Sequence, residues 1–155
     1  MGSETLEFRE AREGDLPAIL AMLRDDRLGA TREGAPDAAY RAAFARLLAE
    51  PDNHVILGEM GGAPVATYQI TFITGLTLGA ARRAQIESVR VASNMRGHGI
   101  GARMIDDAAA RARAAGCSLM QLTTNASRAD ARAFYERLGF TPSHIGFKRE
   151  LSAAE

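Results

Sequence analysis

The sequence predicts an α/β fold built on one mixed sheet, and three observations carry that prediction. Short runs rich in alternating or β-branched apolar residues are interleaved with longer runs whose apolar residues recur at helical spacing. Apolar residues make up 46% of the chain and charged residues 25%, the balance of a folded globular protein. The 155 residues contain no repeat, low-complexity tract or linker, so a single domain spanning 1–155 is expected.

The elements follow in order. Thr5 to Glu10 reads as a strand, with Leu6 and Phe8 on one side. Asp15 is placed to cap a helix that has Pro17 in its first turn and Leu16, Ile19, Leu20 and Leu23 along one stripe. A polar connection from Arg24 to Ala35 leads to a second helix from about Pro36 to Ala49. Tyr40, Phe44, Leu47 and Leu48 share a face of it, and Pro51 stops it. His54–Glu59 and Pro64–Thr74, joined at Gly61-Gly62, read as a hairpin. Gly75–Ala81 is a loop and Arg83–Ala92 a fourth strand. A third helix, about Gly99 to Ala115, is apolar at Ile100, Met104, Ile105, Ala108 and Ala112, with Gly116 suited to its C′ position. Ser118–Thr124 is a fifth strand. Ser127 and Asp130 form a capping-box-like pair before a fourth helix that carries Ala131, Phe134, Tyr135 and Leu138 and ends at Gly139. Phe140 and His144–Leu151 read as two short final strands around Pro142, making about seven strands and four helices.

Composition excludes several functions. Nineteen basic residues balance nineteen acidic ones, so nothing favours nucleic acid or a membrane surface as partner. No apolar stretch approaches the ~18 residues of a membrane span. The N-terminus lacks a basic-then-apolar leader pattern, and Leu6 breaks the myristoylation motif that Met1-Gly2 would begin, so a cytoplasmic location is expected. Cys117 is the only cysteine, which rules out an intrachain disulfide. Its place between Gly116 and an apolar strand points to a buried small residue more than to a nucleophile. His54, His98 and His144 lie far apart and lack the i, i+4 pairing of a helical zinc motif, so no metal is expected.

The segment Arg96 to Gly101, Arg-Gly-His-Gly-Ile-Gly, stands between a strand and a helix. A helix N-terminus offers unpaired N–H groups and a partial positive charge, and Gly97, Gly99 and Gly101 let an anion approach the backbone. Arg96 adds a charge that can reach a phosphate. The loop has no Lys, which excludes a Walker loop, and its Gly-x-Gly-x-Gly spacing after the fourth strand does not fit a dinucleotide fingerprint. A turn that merely starts a helix is the alternative, but glycines inside a helix cost about 1 kcal/mol each.

Val91 through Met104 resembles the acyl-CoA-binding motif of the GNAT superfamily of N-acetyltransferases, Arg/Gln-x-x-Gly-x-Gly/Ala, with Arg96, Gly99 and Gly101 at its fixed positions. Phe134, Tyr135, Glu136, Leu138, Gly139 and Phe140 resemble the superfamily's second motif, Phe-Tyr-Glu-x-Leu-Gly-Phe. Ser93 departs from the pattern, standing where the superfamily often has Pro. The resemblance implies a mostly antiparallel sheet that splays between strands four and five. The pantetheine arm of acetyl-CoA would pair with the backbone at Val89 and Val91, and the pyrophosphate would meet the N–H groups of Gly97, His98, Gly99, Ile100, Gly101 and Ala102. Acetyl transfer to an amine would be direct, with no metal and no covalent enzyme intermediate. Tyr135 falls at the superfamily's proton-donor position, although an aromatic at its spacing also fits a core. Asn125 is implied near the pantetheine, or is simply a turn residue before Ser127. Arg128 and Arg132 are candidates for the 3′-phosphate of CoA, or a solvated face. The resemblance also raises formation of a homodimer.

Glu87 is the candidate base. It is an acid in an apolar strand, and strict alternation puts it on one face with Gln85, Val89 and Val91, where desolvation would raise its pKa. A carboxylate paired with Arg83 or Arg90 is the alternative. The acceptor would be a small-molecule amine shaped by Arg24–Tyr40 and Thr74–Arg83. Asp25, Asp26, Glu33 and Asp37 in and around the first segment would suit a cationic amine, but Arg24, Arg27, Arg32 and Arg41 lie among them, and a solvated mixed-charge surface is the reading favoured. A silent acyl-CoA-binding sensor and a peptide-directed acetyltransferase are the competing functions.

Overall fold

The computed structural model describes residues 5–26 and 28–151. The chain forms two compact units, Met1–Leu122 and Thr123–Glu155.

The first unit is a five-stranded sheet with helices on both faces. Its elements are β1 (Leu6–Glu10), α1 (Leu16–Arg24), α2 (Gly29–Arg32), α3 (Asp37–Ala49), β2 (Asn53–Met60), β3 (Ala63–Thr74), α4 (Thr77–Ala80), β4 (Arg82–Val91), α5 (Ile100–Ala114) and β5 (Leu119–Leu122). The strands lie in the order β1-β2-β3-β4-β5; the first four are antiparallel neighbours, and β5 runs parallel to β4. The β2–β3 hairpin turns at Gly61 and Gly62, both with positive φ, the geometry that matches strand twist and that Gly adopts without steric cost.

Strand alternation divides the apolar residues between two cores. Ile56, Ala66, Tyr68, Ile70, Ala84 and Ile86 pack against Ile100, Met104, Ala108 and Ala112 of α5. Val55 and Leu57 point the other way, into a cluster with Ile19 and Met22 of α1 and Phe44 of α3. Under α5 the Tyr68 hydroxyl donates to the Asp107 carboxylate, which also pairs with Arg111 at 2.8 Å. Burial, with Asp107 beside it, pushes the Tyr68 phenol far above its ordinary value, so it remains a donor. At the sheet's first edge Arg9 bridges Glu59 (2.6 Å) and Asp15 (2.7 Å).

Several elements differ from the sequence expectation. Among the described residues there are five strands and six α-helices, not seven and four. Of the additional helices, α2 is four residues long, too short for a 3.6-residue period to be legible, and α4 is a turn whose Leu78, Gly79 and Ala80 are left-handed, in keeping with the loop expected at Gly75–Ala81. Asp15 does not cap α1 through its side chain. Its carboxylate accepts from the Arg12 N–H (2.7 Å) and from the Arg9 guanidinium, one turn earlier.

The second unit holds one helix, α6 (Ala129–Arg137), and among its described residues no strand. The two strands expected at Phe140 and His144–Leu151 are absent there. Pro142 has no N–H to give a ladder, and alternation alone supplies no partner strand. The Ser127 capping box is also absent. Arg128 is the N-cap, and the Ser127 hydroxyl and N–H both donate to the Asn125 side chain. Phe134, Tyr135 and Phe140 form an edge-to-face chain of rings with centroids 5.1 and 5.7 Å apart.

Candidate active site

The Arg96–Gly101 loop leaves β4 through a 3-10 turn at Ser93–Met95. Gly97 (φ 80°) and Gly99 (φ 74°) are both left-handed, a conformation that costs other L-residues roughly 1–2 kcal/mol. Gly99 is the N-cap of α5, and no side chain caps that helix. The N–H groups of Gly99, Ile100, Gly101 and Ala102 therefore lie at a helix start, where no intrahelical partner exists for them. The carbonyls of the preceding turn are engaged instead: those of Met95 and Arg96 lie 3.2 and 3.0 Å from His98 Nδ1, which fits a ring protonated at that nitrogen. The loop thus turns acceptors inward and leaves donors for an anion.

Arg96 has partners of its own within the protein. Its guanidinium donates to the Val91 carbonyl (3.2 Å) and to the Asp25 carbonyl (2.8 Å), with the Asp25 carboxylate 3.8 Å away. The Ser93 N–H also reaches Asp25, at 3.3 Å. Arg96 therefore ties the loop to the end of α1 while Asp25 matches its charge. Main-chain N–H groups without helical partners and the positive end of the α5 dipole lie beside it.

β4 changes character at its middle. Its parallel ladder with β5 runs from Arg83↔Leu119 to Ile86↔Leu122 and stops, while β4 continues to Val91. On the other side, the β3 register shifts between Thr67 and Gln69: Gln69 opposes Glu87 and Thr67 opposes Arg90, so Ser88 and Val89 together face Tyr68. This is a β-bulge, and Ser88 holds it with φ 54°. Left-handed backbone at a non-glycine residue stores of order 1–3 kcal/mol and concentrates at functional sites. Beyond the bulge the Ala92 N–H bonds to the Val65 carbonyl, so the peptide groups of Val91, one residue earlier, face away from β3 toward the open edge.

The bulge corrects the expected placement of Glu87. Directly opposed residues share a face, so Glu87 lies with Gln69, Thr67 and Arg90 on the α1–α3 side, while Val89 and Val91 pack with the α5-side core. Glu87 is exposed, so the desolvation expected of it is absent. Arg90 pairs with Asp26 at 3.4 Å rather than with Glu87. Asn125 makes an Asx turn, its side-chain oxygen accepting from the Ser127 N–H (3.0 Å) and hydroxyl (2.7 Å). Arg132 pairs with Glu136 along α6 at 3.0 Å. The Tyr135 ring is half-buried between Phe134 and Phe140. Cys117 packs against the first core, and burial pushes its thiol up, away from the reactive thiolate.

The family model described as the acetyltransferase (GNAT) family matches residues 20–140. The chain belongs to that family. Its class of activity is accordingly N-acetyl transfer. It is 30% identical over 145 residues to an aminoalkylphosphonate N-acetyltransferase of Salmonella typhimurium, covering 94% of this chain and 91% of that protein. It is also similar to a transcriptional regulator of Bacillus halodurans C-125, with 41% identity, a TM-score of 0.89 and coverage of 95% of this chain and 100% of that one. An aminoglycoside N-acetyltransferase solved in complex with CoA shares the fold alone, at 17% identity and a TM-score of 0.80, over 97% of each chain.

Sequence reasoning missed two contributors. Ser88 had a signal: Glu87-Ser88 places two polar residues in succession where a period of two allows one, the mark of an inserted residue. Asp25 had none, because its role depends on where the end of α1 lands.

Proposed function

We propose that the chain moves the acetyl group of acetyl-CoA directly to the primary amine of a small molecule. The observation that carries this reading is the pairing of an uncapped α5 N-terminus, entered through two left-handed glycines, with a β4 edge released from β5. A pyrophosphate is the anion that such a loop fits, and an extended amide-bearing arm is what an open strand edge fits. The CoA-bound structure of the aminoglycoside enzyme, which shares the fold, supports the same donor.

In this reading acetyl-CoA supplies an activated acetyl thioester. Backbone N–H groups near Val89 polarise the thioester carbonyl. The attacking amine must be neutral, and Glu87, directly or through water, receives its proton. The nitrogen–carbon bond forms as the carbon–sulfur bond breaks, Tyr135 gives a proton to the departing thiolate, and the second proton, shed by the acylated nitrogen, restores Tyr135 through water, so one ammonium and one thioester give one amide and one thiol with one proton left on Glu87. Asn125 orders the turn before α6, the helix that carries Tyr135. The Salmonella relative supports a small, soluble amine as acceptor.

The test is thiol release from acetyl-CoA across a panel of polyamines, aminoglycosides, amino acids, aminoalkylphosphonates and peptides. Turnover of small amines is the expected result. Tight acetyl-CoA binding with no turnover of any acceptor identifies a sensor instead. Tyr135→Phe should lower kcat by about 100-fold or more while sparing acetyl-CoA affinity. An unchanged kcat removes Tyr135 from the reaction.

A further inference from the structure

A cavity of about 140 Å³ lies between the sheet and the α1–α3 layer. Leu20 and Leu23 of α1 and Ala43 and Phe44 of α3 line one side, and Gln69 and Ser88 line the sheet side. Ser88 is the bulge residue, so the cavity ends where β4 has parted from β5 and where Glu87 shares the face of Gln69. We infer that this cavity seats the non-reacting part of the acceptor, which is a small primary amine with an uncharged hydrocarbon body of about the size of one ring. The inference rests on the acetyltransferase reading and narrows it.

Three observations select that chemistry. The lining comes first: the walls are mostly apolar side chains, and the volume is close to that of an apolar cavity of about 150 Å³ that holds benzene. The polar groups of the lining come second, because most are already used within the protein, the Ser88 hydroxyl at the bulge being the exception. Gln69 Nε2 donates to Asn53 Oδ1 (2.9 Å), the Tyr40 hydroxyl donates to Glu33 (2.9 Å), and the Thr67 hydroxyl donates to the Ile56 carbonyl (3.0 Å). A site built to read substrate hydroxyls would hold such groups in reserve. Third, the neighbouring cations are matched. Arg90 pairs with Asp26 at 3.4 Å, and Arg24 pairs with Asp37 at 3.6 Å while lying 5.4 Å from the Tyr40 ring centre. A phosphate, phosphonate or carboxylate on the acceptor would compete with Asp26 or Asp37 for those cations. An apolar body requires no such exchange and gains from leaving water.

The experiment compares kcat/KM for benzylamine and cyclohexylmethylamine with that for methylamine, ethanolamine and the anionic 4-aminobutyrate, using the full chain and saturating acetyl-CoA. A methylene in an apolar pocket changes kcat/KM by roughly 10–200-fold. The ring amines should therefore exceed the others at least tenfold. Ala43→Leu, which pushes a larger side chain into the cavity from an exposed helix position, should lower the benzylamine-to-methylamine ratio at least tenfold. Leu47→Phe narrows the same wall and serves as the second variant should the first fail to fold. Equal or better turnover of ethanolamine or 4-aminobutyrate overturns the inferred acceptor and leaves the transferase reading standing. A benzylamine-to-methylamine ratio unmoved in a folded variant overturns the role of the cavity. Absence of thiol release with every amine overturns the transferase reading and this inference with it.

Discussion

On the α5 face of the sheet, Ile56, Ala66, Tyr68, Ile70, Ala84 and Ile86 are closed against Met104 and Ala108, and the polar atoms there are spent on the Tyr68–Asp107–Arg111 chain. On the opposite face the same strands present Thr67, Gln69, Ser88 and Glu87 beside an unfilled cavity. Two faces of one sheet have been given different work. On the α5 face the close packing is local to Met104 and Ala108, because a cavity of about 270 Å³ lies toward the end of α5, beside His54, Ile56, Ile70 and Arg111. What sets the α1–α3 face apart is a strained residue and the end of the β4–β5 ladder next to its cavity.

The contrast can be attacked from its open side first. Gly99→Glu places a carboxylate and a strained φ at the start of α5, and should weaken acetyl-CoA binding by about 1000-fold or more, well beyond the 1–2 kcal/mol of backbone strain alone. Titration calorimetry on the folded variant checks this, and normal affinity would sink the proposed pyrophosphate site. The closed side should respond in stability rather than in binding. Met104→Ala empties a fully buried position and should cost about 2–5 kcal/mol in denaturant unfolding. Leu23→Ala, on the cavity wall, should cost less than Met104→Ala, since the cavity already removes part of its contacts. Equal losses would mean that the two faces are packed alike.

Smaller effects sharpen the picture at its margins. Asp15→Asn should cost about 1–3 kcal/mol at neutral pH by weakening charge-assisted bonds to Arg9. The Arg9 guanidinium holds the Asp15 carboxyl below its usual range. Its stabilisation is therefore present above the ordinary value of about 3.9 and disappears as pH falls through the lowered one. The difference between wild type and Asp15→Asn should narrow below about pH 4, and a gap that widens in acid would contradict the assignment. Ser88→Gly should raise stability by about 0.5–1 kcal/mol by relieving the left-handed backbone, as read from thermal melting. A loss of that size would mean that the Ser88 side chain contributes more than its strain costs.

Much of the first unit was legible along the chain because its causes are local. Periodicity placed α1, α3 and α5 and the hairpin at Gly61-Gly62 within a residue or two of their observed ends. The alternation of Gly97, Gly99 and Gly101 before an apolar helix marked the turn into α5, and Gly97 and Gly99 do take the left-handed backbone that only glycine adopts cheaply. No helix among the described residues is long and apolar enough to cross a membrane.

Other features depend on which segments meet. The face shared by Glu87 and Arg90 follows from a bulge that exists only in the register between β3 and β4, so simple alternation misplaced it. Arg96 turns to Asp25 because α1 ends beside the loop, a contact between residues 71 positions apart. The expected final strands lacked a ladder, which no alternation can supply by itself. The cavity behind Ser88 is a property of how α1 and α3 lie on the sheet. By itself the sequence determined the order of the five strands and the longer helices, the glycine loop and the family motifs, because backbone preference and periodicity act over a few residues. Tertiary structure alone decided the bulge, the half of β4 beyond β5, the partner of Arg96 and the cavity beside α1 and α3, because each depends on a distance between segments that are far apart in the chain.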